Sequence, residues 1–201
     1  MSSSEDDFTY TSDTELVKLA KAGNNDAFAQ LFQRYQGRVR GYLAGLIGNS
    51  EEADDLTQQT FLKAWDKILT LNDEARFRPW IFTIARNLAY DYQRLQARTP
   101  SESLECMKER SDTFNSINLE DKTTATELVK LTLAELPPKY RDCLLLRLEG
   151  GFSHDEIAEL LKIGKTSVST YISTARRLFR QAYYRLKAEA DTTEKEIVPH
   201  E

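Results

Sequence analysis

"SHDEIAELLKIGKTSVSTYISTARRLFRQ", Ser153 to Gln181, decides the fold. Ser153 followed by Glu156 is a capping box: the hydroxyl takes an orphan N–H of the first turn, and the carboxylate reaches back to the N–H of the cap. Ile157, Ala158, Leu160 and Leu161 mark the buried face of a short helix. Lys162 to Lys165 reads as a tight turn in which Gly164 supplies a positive φ. Thr166 or Ser167 then caps a longer helix buried through Val168, Ile172, Ala175, Leu178 and Phe179. A short helix, a tight turn and a longer basic helix spell helix-turn-helix, and the small Ala158 lets the two helices approach.

The second helix carries the chemistry. From Lys165 to Lys187 there are six basic residues and no Asp or Glu, in a chain whose formal net charge is −5. Its outer face begins with Lys165, Thr166, Ser167, Ser169, Thr170, Tyr171 and Ser173, mostly short polar side chains that permit close approach to base edges. The helix N-terminus and Lys165 suit phosphate, and Arg176, Arg177 and Arg180 follow as backbone contacts. A solvated charged face is the plain alternative. The capped turn beside unbroken positive charge favours DNA.

Working outward, this unit sits in a second helical block, residues 123–187. A helix over Thr126–Glu135 is stopped by Pro137 and Pro138, which open the next helix, and Gly150–Gly151 end that one. The preceding residues 97–122 lose apolar periodicity and are read as a flexible interdomain linker. A first block, 14–96, holds three amphipathic helices. One runs through Phe28, Leu31, Tyr35, Val39 and Leu43; the next starts at Ser50 and buries Ala53, Leu56, Phe61 and Trp65; the third starts at Pro79 and buries Ile81, Ile84, Leu88 and Tyr92. The fold class is therefore all-α: two small helical domains joined by a linker. Residues 1–13 and 188–201 are acidic and aperiodic and are expected to be disordered tails. Without the charges at 1–15 (−5) and 188–201 (−4), the −5 chain becomes about +4.

The first block has a basic segment of its own. Arg76, Arg78, Arg86, Arg94 and Arg98 face one acid, Asp91, and Phe77, Trp80, Phe82, Tyr90 and Tyr92 lie among them. Guanidinium groups with aromatic faces suit a strand backbone and unstacked bases. Trp80 and Phe82 have a second reading as core. The preceding helix is acidic at its start (Glu51, Glu52, Asp54, Asp55), which repels DNA and suits a basic protein partner, apart from the share that caps the helix dipole.

Several classes are excluded. No run of about 18 apolar residues exists, so no membrane insertion is expected. "MSSSEDDFTY" lacks the basic and apolar regions of a secretory signal, so the chain is expected in the cytoplasm. Cys106 and Cys143 have no Cys or His at metal-ligand spacing. With no nucleophile–base pair, carboxylate pair or phosphate-binding glycine loop, neither catalysis nor a metal or other cofactor is expected.

"EEADDLTQQTFLKAWDKI" (51–68) followed by "FRPWIFTIARNLAYDYQR" (77–94) resembles region 2 of bacterial sigma factors, and "LAELPPKYRDCLLLRLEGGFSHDEIAELLKIGKTSVSTYISTARRLFR" (133–180) resembles their region 4. The layout, without room for region 1.1 or a folded region 3, resembles the extracytoplasmic-function group. The resemblance implies core RNA polymerase (β′ clamp and β flap) and promoter DNA as partners, and an anti-sigma factor is a common further one. It assigns Asp54, Asp55, Leu56, Gln58, Gln59 and Phe61 to the β′ clamp. Asn72, Arg76, Arg78, Trp80, Arg86, Asn87 and Arg94 fall in the part that reads the minus-ten element and holds the unpaired strand. The helix-turn-helix reads the minus-thirty-five element. Ser169 and Tyr171 stand where the family often has Lys or Arg, and Gln59 where it usually has an acid. Two rivals remain at this stage: a helix-turn-helix regulator with a helical interaction domain, and a sigma-like decoy that binds protein but no DNA.

Overall fold

The computed structural model describes residues 12–98 and 123–197, as eight α-helices and two short 3-10 turns, with no strand among the described residues. Each early helix starts where a side chain accepts an orphan N–H. The Ser12 hydroxyl takes Glu15 N–H (3.3 Å) to open α1, Asp13–Lys21. Asn24 Oδ1 takes Ala27 N–H (3.0 Å) to open α2, Asn25–Ile47. Gly48 ends α2, and α3 starts at Ser50 as read, Ser50–Lys67, capped by Asn49, whose Oδ1 accepts from Glu51 N–H (2.9 Å). The stretch between α3 and the next helix holds two 3-10 turns, Ile68–Thr70 and Glu74–Arg76. Lys21 ties it down by donating to the Leu71 carbonyl and to Glu74 Oε1 (2.6 Å). Helix α4 then runs Phe77–Arg98, starting two residues before Pro79.

In the C-terminal domain, α5 covers Thr123–Glu135 and α6 covers Pro138–Leu148, opened by the two prolines as read. The return after α6 needs both glycines. A Cβ on Gly150 would lie 2.5 Å from the Phe152 ring and 2.7 Å from the Leu146 carbonyl oxygen, and Gly151 has φ +68°. Helix α7, His154–Leu161, carries the full capping box: Glu156 N–H donates to Ser153 Oγ (3.3 Å) and Ser153 N–H to Glu156 Oε2 (2.8 Å). The turn into α8, Lys165–Ile197, corrects two expectations. The left-handed residue is Lys162 (φ +55°), not Gly164. The helix also begins before Thr166, because the Gly164 carbonyl already accepts from Ser167 N–H (3.0 Å). The sequence placed an acidic disordered tail from residue 188, yet α8 continues to Ile197; an acidic face lacks no helix propensity, only apolar periodicity. Residues 1–11, most of the expected linker (99–122) and 198–201 lie outside the described residues.

The two domains share one core. Leu31, Val39, Tyr42, Leu43, Phe77, Ile81 and Phe82 from the first bundle and Leu145, Leu146, Phe152, Ile157, Val168 and Ile172 from the second belong to one apolar cluster. Helices α5 and α6 lie on α2, and α7 lies on α4.

Candidate functional site

The outer side of α8 forms one continuous stripe. Lys165, Thr166, Ser169, Thr170, Ser173, Arg176, Arg177 and Arg180 are all exposed, at the three- and four-residue spacing that keeps them on one face. Val168, Ile172 and Ala175 sink into the core on the other side and fix the rotation of the helix. Thr170 Oγ1 donates back to the Thr166 carbonyl (3.1 Å) and Ser173 Oγ to the Thr170 carbonyl (3.0 Å). Both hydroxyls thus spend their proton within the helix and present acceptor lone pairs outward, which suits an exocyclic amino group. Lys165 lies 2.9 Å from Asp155 of α7.

Two of the expected residues on this helix differ from the rest. Ser167 is half-buried. Tyr171 is half-buried too, packed edge-on to Tyr140 of α6 (centroids 5.2 Å, 87°). The Lys139 ammonium sits 5.0 Å from the Tyr140 centroid and 5.2 Å from that of Tyr171. Lys139 therefore brings a cation to the position where the helix itself lacks one. Sequence reading missed it because the residue comes from another helix.

On α3 the motif divides into two sides. Asp55, Gln58 and Gln59 are exposed and Asp54 is half-buried, while Leu56 and Phe61 are only 4% exposed. The assignment of Leu56 and Phe61 as contact residues is corrected: they are core, with Phe61 edge-on to Phe32 (4.8 Å) and Phe28 (6.5 Å). The exposed apolar residue is the neighbouring Leu62, at 66%. Between α2 and α3 opens a groove of about 500 Å³ bordered by Gln33, Gln36, Arg40, Asp54 and Gln58. Arg40 grips Asp54 with both Nε and Nη2, the latter 3.2 Å from Oδ2. That hydrogen bond holds the Asp54 carboxyl below its ordinary range. The α2 side of this groove gave no motif to read.

Helix α4 and the turn before it place Asn72, Asn87 and Arg94 at the surface, with Trp80 half-buried against Phe77 (5.9 Å). Asp91 pairs with Arg94 one turn along the same helix (3.3 Å). Phe82 is fully buried, packed edge-on to Phe152 (5.1 Å, 89°), which settles its second reading as core. Arg76, Arg78 and Arg86 each meet a carboxylate of the C-terminal domain. Arg76 lies 2.5 Å from Glu159, Arg78 bonds Glu156 while its guanidinium stacks 4.6 Å over the Phe152 ring, and Arg86 Nε is 2.7 Å from Asp142 Oδ2.

Asp142 is the centre of this arrangement. It is 1% exposed and accepts from Tyr42 (2.7 Å), Tyr90 (3.1 Å) and Arg86, all from the N-terminal domain. Burial, then the neighbouring Asp142 charge, pushes the Tyr42 phenol well above its ordinary value. Burial works against the Arg86 charge, but the Asp142 carboxylate more than offsets it. The carboxylate is fully paired, as a buried charge must be.

Among the described residues no cluster of side chains could hold a metal ion, and no helix is long and apolar enough to cross a membrane. Residues 31–99 match the family described as Sigma-70 region 2, and residues 126–179 match Sigma-70, region 4. The chain is 33% identical over 142 residues to RNA polymerase sigma factor CarQ of Myxococcus xanthus, covering 69% of this chain and 78% of that protein. It is 27% identical over 176 residues to ECF RNA polymerase sigma factor SigW of Bacillus subtilis, covering 82% of this chain and 93% of SigW. Among solved structures, CnrH in complex with the cytosolic domain of CnrY aligns with a TM-score of 0.62 at 25% identity, over 90% of this chain and 97% of that one. With both conserved regions matched in order on a shared all-helical frame, the chain belongs to the RNA polymerase sigma factors of the extracytoplasmic-function type, proteins that bind core RNA polymerase and direct it to promoters.

Proposed function

We propose that the outer side of α3, the strip along α4 and the stripe along α8 are three working surfaces with three different ligands. Core polymerase takes α3 through Asp54, Asp55, Gln58 and Gln59, together with Leu62 and the α2 side of the groove. Leu56 and Phe61 hold that surface in place from beneath. The docking site is the β′ clamp, while the C-terminal domain meets the β flap. Asn72, Arg76, Arg78, Trp80, Arg86, Asn87 and Arg94 hold the minus-ten element and its unpaired strand. The α8 stripe, with Lys139 beside Tyr171, reads the minus-thirty-five element.

The protein acts in the cytoplasm, where its polymerase is, and has no catalytic activity or cofactor of its own. An inhibitory protein partner is a further expectation, supported by the similarity to CnrH, whose structure is a complex with CnrY. The observation that carries the reading is the α8 stripe: eight exposed residues, four of them cationic, on one face of a helix fixed by a capped turn. Run-off transcription with core enzyme on genomic DNA, with start sites mapped, tests it. New start sites sharing two upstream elements are expected. A chain that joins core enzyme without changing where RNA begins overturns it.

A further inference from the structure

The N-terminal turns of a recognition helix are the part that meets base edges, and in α8 they carry a restricted chemistry. Between Lys165 and Arg176 there is no Arg, Asn or Gln. No side chain there can make the two-point contact that fixes guanine through O6 and N7, or adenine through N6 and N7. Arg176 lies about 16 Å further along the axis than Lys165, beyond the residues that meet bases. Lys165 stands at the start of the helix beside Asp155 (2.9 Å), a place for a phosphate. Tyr171 packs against Tyr140, and the Lys139 ammonium over both rings is a point charge, which suits phosphate better than a base edge.

What remains outward is Thr166, Ser169, Thr170 and Ser173. A carbonyl oxygen only accepts. The Thr170 hydroxyl, 3.1 Å from the Thr166 carbonyl, and the Ser173 hydroxyl, 3.0 Å from the Thr170 carbonyl, have therefore each given their single proton to the helix. Both keep lone pairs for the groove. The major-groove donors are the amino groups of adenine (N6) and cytosine (N4), whereas guanine shows two acceptors that would repel these oxygens.

We propose that Thr170 and Ser173 set the base specificity of α8 by reading amino groups. The minus-thirty-five element is recognised through adenine N6 and cytosine N4, with thymine methyls against the methyl groups of Thr166 and Thr170, and no guanine in it is fixed through its own acceptors. This rests on the reading of α8 as the minus-thirty-five surface. Each such contact is a single hydrogen bond, so each discriminates only about three- to tenfold.

The test removes single atoms from the DNA. Holoenzyme assembled with core polymerase is titrated by fluorescence anisotropy against labelled duplexes carrying the upstream sequence of a mapped start site. Within the minus-thirty-five element, purine in place of adenine or 2-pyrimidinone in place of cytosine deletes one amino group, and 7-deazaguanine deletes the guanine N7 acceptor. One or more amino deletions are expected to weaken binding about three- to tenfold, and each 7-deazaguanine less than about twofold. In Thr170→Val, which keeps the shape and the methyl, or in Ser173→Ala, the intact duplex should bind more weakly and the matching amino deletion should cost nothing more. Both positions are exposed, where such changes leave stability within about 0.5 kcal/mol. A 7-deazaguanine that costs about tenfold or more overturns the proposal. So does an amino deletion that costs the same in the natural chain and in both variants. Indifference to every amino deletion also overturns it, leaving α8 a reader of phosphate and shape. A duplex that binds no better than one with a scrambled minus-thirty-five element overturns the reading of α8 itself, and the proposal with it.

Discussion

The hydrogen bond from Tyr42 to Asp142 joins residues 100 positions apart, one in each domain, and it can be weighed by a double-mutant cycle. Tyr42→Phe removes only the hydroxyl, because the ring stays packed on Phe82 at 5.4 Å. The O–H···O contact is 2.7 Å long, fully buried and made to a carboxylate. Hydrogen bonds to charged groups contribute about 1.5–3 kcal/mol, so the variant should lose roughly 2 kcal/mol in urea unfolding followed by circular dichroism. Asp142→Asn keeps the shape but leaves Arg86 without its counter-ion and weakens the bonds from both tyrosines. Breaking a buried pair on one side costs about 3–5 kcal/mol; the partial exposure of Arg86, whose side chain is 31% accessible, puts the loss at the low end, about 3 kcal/mol. In the Asp142→Asn background the Tyr42 hydroxyl meets a neutral acceptor and should be worth about 1 kcal/mol. The cycle should therefore show a coupling of about 1 kcal/mol, outside the roughly 0.5 kcal/mol scatter of independent sites. Two strictly additive losses would refute the reasoning, for then the domains would not meet at Asp142 in solution.

Four further outcomes follow, from the α7 cap, from Cys143 and from the α8 arginines. Ser153→Ala removes one bond of the capping box and loosens the other, so it should cost about 1 kcal/mol of stability, measurable by the same unfolding experiment; no loss would mean the box does not hold α7. Burial, then the Asp142 charge, raises the Cys143 thiol to about 11. Being held neutral in the folded chain, it gives stability that is constant below its ordinary 9.0 and falls as pH rises from 9.0 toward 11. Iodoacetamide at pH 8 should leave Cys143 unmodified in native protein, read by peptide mass spectrometry, and early labelling would contradict its burial. Arg176→Ala with Arg177→Ala should weaken promoter binding and lower its salt slope by about 2 while core polymerase association is unchanged; an equal loss of both would count against the division of surfaces.

The C-terminal domain was the more legible half because its signals are local. The capping box, the paired prolines and the paired glycines each specify backbone within four residues, and all three stand where the sequence put them. The turn was misread at two points, the left-handed residue and the start of α8. Lys162 follows the last turn of α7 directly and closes it in the left-handed region, where its exposed side chain meets no obstacle, although a non-glycine there costs about 1–2 kcal/mol. On α3 the motif was found but not its sides. The pattern of a motif says which residues matter together, whereas only the packing of Phe28 and Phe32 shows that Phe61 points inward. The joint at Asp142 was not legible, since an acid in "KYRDC" reads like any surface carboxylate until α2 and α4 lie over it. One trace of the joint was nonetheless present. Gly37, Gly41 and Gly45 recur every fourth residue in a 23-residue helix, where each costs about 1 kcal/mol relative to alanine. That cost has a reason at Gly41 and Gly45, where another helix comes close; nothing lies near Gly37 to explain it.

The three arginine pairs form a gradient rather than a uniform clamp. Arg76–Glu159 is half-exposed on both sides, and such pairs contribute about 0–1 kcal/mol. Arg78–Glu156 is less exposed, and Glu156 is already committed to the Ser153 cap, so opening the interface costs that carboxylate only one of its partners. Arg86–Asp142 is the buried one. A buried ion pair gains little net free energy, because desolvation nearly cancels attraction, yet it penalises any misfit that leaves one charge alone. The consequence is a joint that is strict in register but not strong. Apolar contact between Phe82 and Phe152 and the glycine-lined face of α2 supplies the adhesion, and Asp142 decides the alignment. Parting the joint would release Arg76, Arg78 and Arg86 from their carboxylates together.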